Sequence, residues 1–147
     1  MHIFTAPDAT PEKVDLFLAG GISNCPDWQQ ETLDTLQKDL DIVVANPRRT
    51  IYDDKANAVK QIEWEYEALN KAEVVSFWFP HETLCPITLF ELGRFSHDKT
   101  KPTLVGVHPQ YQRKLDIEVQ LRLARPEIEI VYSLQDLNTQ IVDYFQK

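Results

Sequence analysis

The sequence predicts an α/β protein built on a single doubly wound, five-stranded parallel sheet with helices on both faces. Three observations carry this. Short apolar runs alternate five times with longer amphipathic ones, the pattern of a parallel sheet covered by crossover helices. The run Val74-Val-Ser-Phe-Trp-Phe79 is almost continuously apolar, as in a strand buried on both faces. Glycine or proline follows the first three runs closely, at Gly20-Gly21, Pro47 and Pro80, where chain direction must change.

The elements follow in order. Residues 14–18 read as the first strand. Residues 27–39 have helical spacing, with Trp28, Leu33, Leu36 and Leu40 able to share a face. Asn24 or Asp27 can cap that helix, and Pro26 suits its start. Residues 42–45 form the second strand, and the polar stretch 48–57 a loop. Residues 58–71 are a helix expected to turn Ile62, Tyr66 and Leu69 inward. Residues 74–79 are the third strand. Pro86 opens a helix over 86–97. Residues 103–107 are the fourth strand, 115–123 a helix and 129–132 the fifth strand. Ser133 or Asp136 starts a last helix ending near Phe145. Right-handed crossovers give the doubly wound arrangement, with expected strand order 2-1-3-4-5. Ligands then bind beyond the carboxyl ends of the strands, at the switch point between strands 1 and 3.

The 147 residues fit one domain, 1–147. The net charge of −8 disfavours non-specific binding to nucleic acid polymers or an anionic membrane. Cys25 and Cys85 stand outside any zinc spacing, and reduced thiols are expected. No metal motif appears, and no cofactor is expected. The N-terminal segment lacks the basic region and long apolar run of a signal peptide. No apolar stretch approaches the length of a membrane span. A soluble, cytoplasmic protein is expected.

Four groups stand at or near strand ends. Gly20-Gly21 before Ser23 reads either as a tight turn or as backbone that lets a ligand approach closely. It is not GxGxxG, and no Walker lysine follows, which disfavours a dinucleotide or nucleoside triphosphate. Asn46-Pro-Arg48-Arg49 reads either as a carboxylate or phosphate contact or as a solvated basic turn. On residues 61–65, Gln61 and Glu65 share one helical face with Trp64 one step round. A helical tryptophan there can stack on a base, but is more often core. Glu73 opens the third strand, and Glu91 sits amid Leu89, Phe90, Leu92 and Gly93. Glu91 is either a solvent-side acid or a carboxylate kept in an apolar setting for function. Two acids brought together would suit glycosidic chemistry. His81, His97 and His108 lie near loops and admit either a surface or a site role.

Several segments together resemble the nucleoside 2-deoxyribosyltransferase-like family. They are Leu18-Ala-Gly-Gly-Ile22, Pro26-Asp-Trp28, Asn46-Pro-Arg-Arg49, Trp64-Glu65 with Ala72-Glu73, Phe77-Trp-Phe-Pro80, Phe90-Glu-Leu-Gly93, and His108-Pro109 with Tyr111 and Arg113. The resemblance runs from about Asp15 to Gln120. It implies a flavodoxin-like, Rossmannoid fold with Glu91 as the nucleophile that attacks C1′ of a deoxynucleoside. A covalent glycosyl-enzyme then forms, and a second base takes the sugar with retention. It also implies that the acid at the head of strand 3, here Glu73 where the transferases carry aspartate, handles the base. Glu91 is expected to be ionised, its pKa kept low by a nearby donor. Trp28, Trp64 or Trp78 would supply an aromatic wall.

The same superfamily holds hydrolases of deoxynucleoside 5′-monophosphates, which grip a phosphate near the glycine turn. Ser23 with Arg48 or Arg49 matches that description. Three readings follow: deoxyribosyl transfer between bases, nucleotide N-glycosidic hydrolysis, and a non-catalytic nucleotide-binding module. The implied partners are a small nucleoside or nucleotide and a free base. A homo-oligomer, dimer or higher, with shared sites is also implied.

Overall fold

The structure is a computed structural model and describes residues 1–48 and 55–147. Among them run β1 (His2–Phe4), β2 (Val14–Gly20), α1 (Trp28–Leu36), β3 (Val43–Ala45), α2 (Lys55–Lys71) and β4 (Ala72–Phe79). Then follow α3 (Pro86–Ser96), β5 (Thr103–Val107), α4 (Lys114–Ala124), β6 (Ile130–Val131) and α5 (Leu134–Gln146). The sheet is entirely parallel, in the order β1-β3-β2-β4-β5-β6.

The expected order of five strands is present, but a sixth strand lies outside it. β1 pairs with β3 and is flanked by bonds from His2 N to Ile42 O and from Asn46 N to Phe4 O, both 3.0 Å. Three residues are too few to show a period of two, so tertiary pairing makes this strand. The fifth expected strand shrinks to Ile130–Val131.

Alternation along β2 and β4 supplies two cores. Leu16, Leu18, Val74 and Trp78 meet Trp28, Leu33 and Leu36 of α1 and Leu137 and Ile141 of α5. Phe17, Ala19, Val75, Phe77 and Phe79 meet residues of α2, α3 and α4 on the other face. The unbroken apolar run of β4 is thus buried on both sides.

Local signals set most helix ends. Asp27 caps α1, its Oδ1 accepting from Gln30 N at 3.1 Å. Ser133 caps α5 by accepting from Asp136 N at 3.0 Å. Pro86 takes the first turn of α3.

The inward face of α2 differs from expectation. Ile62 and Tyr66 are 63% and 60% exposed, whereas Gln61, Trp64, Ala68 and Leu69 are buried. Trp64 decides the rotation. Its ring packs edge-on to Phe4 of the extra strand, 5.5 Å between centroids, and its Nε1 donates to Asp8 O at 3.0 Å.

Helix α3 is held at both ends. Before it, Cys85 adopts a left-handed conformation, φ 53°, uncommon for a residue other than glycine. The preceding carbonyl, Leu84 O, accepts from Tyr111 Oη at 2.6 Å. Burial pushes the Tyr111 phenol well above its ordinary value, so it stays a neutral donor. Beyond α3, the buried Arg125 guanidinium lies within bonding distance of Phe95 O, Asp98 O and Lys101 O, at 3.3, 3.1 and 2.9 Å. Among the described residues, no helix is long and apolar enough to cross a membrane.

Candidate active site

The sheet order turns at β2. β3 lies on one side of it and β4 on the other, so the loops leaving β2 and β4 diverge and open a crevice at the carboxyl edge. A cavity of about 300 Å³ occupies it, lined by Gly20, Gly21, Ile22 and Ser23 after β2, by Thr83, Cys85, Ile87, Thr88 and Glu91 after β4, and by Glu65 of α2.

Glu91 sits at the border of the buried stripe of α3, with Thr88 and Leu92 inside and Ile87 and Phe90 outside. Its carboxyl is pushed up to about 8, first by burial and then by the negative charge of Glu65, with Arg94 pulling the other way. The expectation of a pKa kept low by a donor is therefore reversed. Helix packing removes water from this carboxyl, and the charge that acts on it most strongly is that of another acid. The charge on Glu65 thus favours the protonated form of Glu91.

Gly20, Gly21, Ser23 and Glu91 come together as expected from the sequence. The glycines, however, make room for protein. A Cβ on Gly20 would stand 2.3 Å from the Trp28 ring and 2.5 Å from Trp78 O. One on Gly21 would meet Pro80 at 2.9 Å and the Cys85 sulfur at 3.0 Å.

The other expected residues fall elsewhere. Glu73 stands at the start of β4 and accepts from Tyr144 Oη at 3.2 Å. The crevice lies past Phe79, six residues on, or roughly 20 Å along an extended strand. Sheet polarity thus removes Glu73 from the site, and Glu65 is the acid that faces Glu91. Glu73→Gln is accordingly expected to leave turnover within about twofold of the parent, as for surface substitutions remote from the site; steady-state kinetics on the purified variant checks this.

None of the three tryptophans walls the cavity. Trp64 is core beneath β1 and β2, while Trp28 and Trp78 belong to the opposite core. Asn46 serves the chain, its Oδ1 accepting from Arg48 N at 3.0 Å. Arg48 donates to Gln29 Oε1 at 2.8 Å and Pro26 O at 2.9 Å, and pairs with Asp27 at 3.2 Å. Its guanidinium is engaged by protein on these sides. Arg49 lies outside the described residues.

His81 and His108 stack with centroids 4.2 Å apart. They line a separate crevice of about 470 Å³, with Trp28 and Trp78. His97 ends α3 at the opposite edge. Among the described residues, no cluster of three metal-ligating side chains occurs.

Spacing set Glu65 on one face with Gln61 but gave it no role in the site. Had Trp64, Ala68 and Leu69 been taken as the inward stripe, Glu65 would have fallen on its border. A family model described as nucleoside 2-deoxyribosyltransferase like matches residues 13–111, a span that contains Gly20, Gly21, Glu65 and Glu91. No curated protein matches the chain.

Proposed function

The chain belongs to the nucleoside 2-deoxyribosyltransferase-like family, and from that premise we propose that it is an enzyme that cleaves and re-forms the N-glycosidic bond of deoxynucleosides. The observation that carries this reading is the half-buried Glu91 carboxyl, coupled to Glu65 in one cavity at the switch point of the sheet. The finer fold reading goes with it: a flavodoxin-like, Rossmannoid domain over residues 1–147, in a cytoplasmic protein.

The pair supplies one carboxylate and one proton. As substrate binds, the proton rests on Glu65 and Glu91 becomes the nucleophile. Glu91 attacks C1′, the C1′–N bond breaks, and its electron pair leaves with the base. Glu65 gives its proton to that base. A second base then attacks C1′ of the glycosyl ester. Glu91 is released as a carboxylate, Glu65 takes the incoming proton, and two inversions give retention. Water in place of the second base gives hydrolysis. No cofactor enters the balance.

The 5′-monophosphate reading has less support. Among the described residues the cavity presents two carboxylates and no lysine or arginine, and Arg48 is turned to Gln29, Pro26 and Asp27. The deciding experiment incubates the protein with deoxynucleosides and with their 5′-monophosphates, each with and without an added free base. Base exchange on the unphosphorylated substrates supports the proposal. Release of sugar phosphate regardless of added base overturns it in favour of the hydrolase.

A homo-oligomer is part of the proposal. Ile87 and Phe90 of α3, 65% and 76% exposed, lie beside the cavity, and Val59, Ile62 and Tyr66 form an exposed stripe on α2. Apolar stripes of this kind mark protein contacts. Phe90→Asp is expected to shift the species seen by light scattering toward monomer and to lower turnover at dilute enzyme.

A further inference from the structure

The Gly21 carbonyl is held more firmly than a turn requires. It accepts from Trp28 Nε1 at 2.8 Å and from Gln29 Nε2 at 3.3 Å. Gln29 is fully buried, and its own oxygen accepts from Arg48 Nε at 2.8 Å. Arg48 is anchored in turn by Asp27 and Pro26. This relay runs entirely through protein and ends on one peptide group.

That peptide is trans, since the cis bond among the described residues is Ala6–Pro7. In a trans peptide the carbonyl and the following N–H point in opposite directions. The Gly21 carbonyl points to α1, on one face of the sheet. The Ile22 N–H therefore points to the other face, where Glu65 and Glu91 line the cavity with Ile22 itself. Among the described residues this N–H has no hydrogen-bond acceptor. A backbone donor aimed into a cavity, with its carbonyl fixed from behind, is preorganised for an oxygen of the ligand.

We propose that Trp28 and Gln29 are positioning residues, which hold the Gly21–Ile22 peptide so that the Ile22 N–H donates to a sugar oxygen of the substrate. The inference rests on the nucleoside reading and deepens it. It also gives Trp28 and Arg48 a different task from direct contact with substrate.

The test uses the full chain carrying Glu91→Gln, so that substrate binds without turnover, and follows backbone amides by nitrogen–proton correlation spectra. The probe is 2′-deoxyadenosine, with its 3′-deoxy and 5′-deoxy analogues. The Ile22 amide proton is expected to move downfield with the parent nucleoside, and much less with the analogue that lacks the contacted oxygen. Trp28→Phe keeps an aromatic ring at the position and removes the donor; Gln29→Met, which leaves the Trp28 ring against Gly20, is the second variant. In the Glu91-containing chain, each is expected to lower kcat/KM about tenfold for the full substrate, the scale of one hydrogen bond, and to leave the deoxygenated analogue nearly unchanged. An equal loss for all three substrates overturns the inference, since a merely structural role affects them alike. So does an Ile22 amide that stays still while the Ser23 and Thr88 amides respond. No response anywhere in the cavity overturns the nucleoside reading, and the inference with it.

Discussion

Glu91→Gln is expected to abolish base exchange and, at alkaline pH, to make the protein more stable. The activity loss follows from removing the proposed nucleophile, on the order of 10⁴-fold or more for a residue that acts covalently. The stability gain follows from linkage. The Glu91 carboxyl rises from an ordinary 4.5 to about 8 on folding, so between those values the folded state holds a proton that the unfolded state has lost. Stability then falls as pH rises through that window. Below about pH 4 both states are protonated, and parent and variant should unfold alike. Above about pH 8 the parent carries a charged, half-buried carboxylate that glutamine lacks. The difference is on the order of 2–4 kcal/mol, or about 5–10 °C in Tm for a chain of this size. Thermal unfolding at pH 4, 7 and 9 measures it. Equal Tm values at pH 9 would mean that Glu91 is not buried with its proton. Near-normal exchange by the folded variant would sink its role as nucleophile.

The second large effect concerns Glu65. In the parent, kcat/KM should fall as pH rises through about 8, where the free enzyme's pair gives up the one proton that Glu65 must pass to the base. Glu65 contributes to that value by repelling charge on Glu91. Glu65→Gln removes the repulsion and leaves Glu91 to ionise alone, so the falling limb should give way to one that rises at lower pH. It also removes the proton for the departing base, at a cost of about 10²–10⁴-fold, the range of general-acid catalysis. That cost should be greatest for bases that leave only when protonated, and small for electron-poor bases that leave as anions. A pH–rate series on two such substrates separates the effects. A limb that stays in place, or a loss equal for both bases, would remove Glu65 from the chemistry.

Much of this was legible in the residues, and the exceptions have physical causes. The apolar runs and their terminating glycines and prolines mark β2 to β5, because strands buried on both faces read as near-continuous apolar runs, and the handedness of crossovers suggests their order. Spacing leaves Glu91 open between a solvent-side acid and a functional carboxylate, and only the family resemblance singles it out. β1 is not legible: Phe4 becomes core only when β3 lies beside it. Missing Phe4 removes the partner that draws Trp64 inward. The inward residues of α2 are then misread as Ile62 and Tyr66, and the pairing of Glu65 with Glu91 goes unseen. Glu73 is a different case. Its place at the start of a parallel strand already conflicts with a site at the strand ends, and the structure resolves the conflict in favour of polarity. The glycine pair misleads for a third reason: closeness to an indole and closeness to a ligand demand the same missing Cβ.

The anchoring of α3 has a consequence for how this site can change. Tyr111 fixes the turn before the helix, and Arg125 fixes the loop beyond it; both come from segments outside the cavity. The address of Glu91 is thus written in one part of the chain, and the shape of the chamber in another. Residues such as Ser23, Thr83, Ile87 and Thr88 can be exchanged to admit a different base or sugar while the Glu91 backbone keeps its coordinates. Libraries aimed at new substrates belong on those four positions. Tyr111 and Arg125 belong on the list left untouched, even though neither lines the chamber.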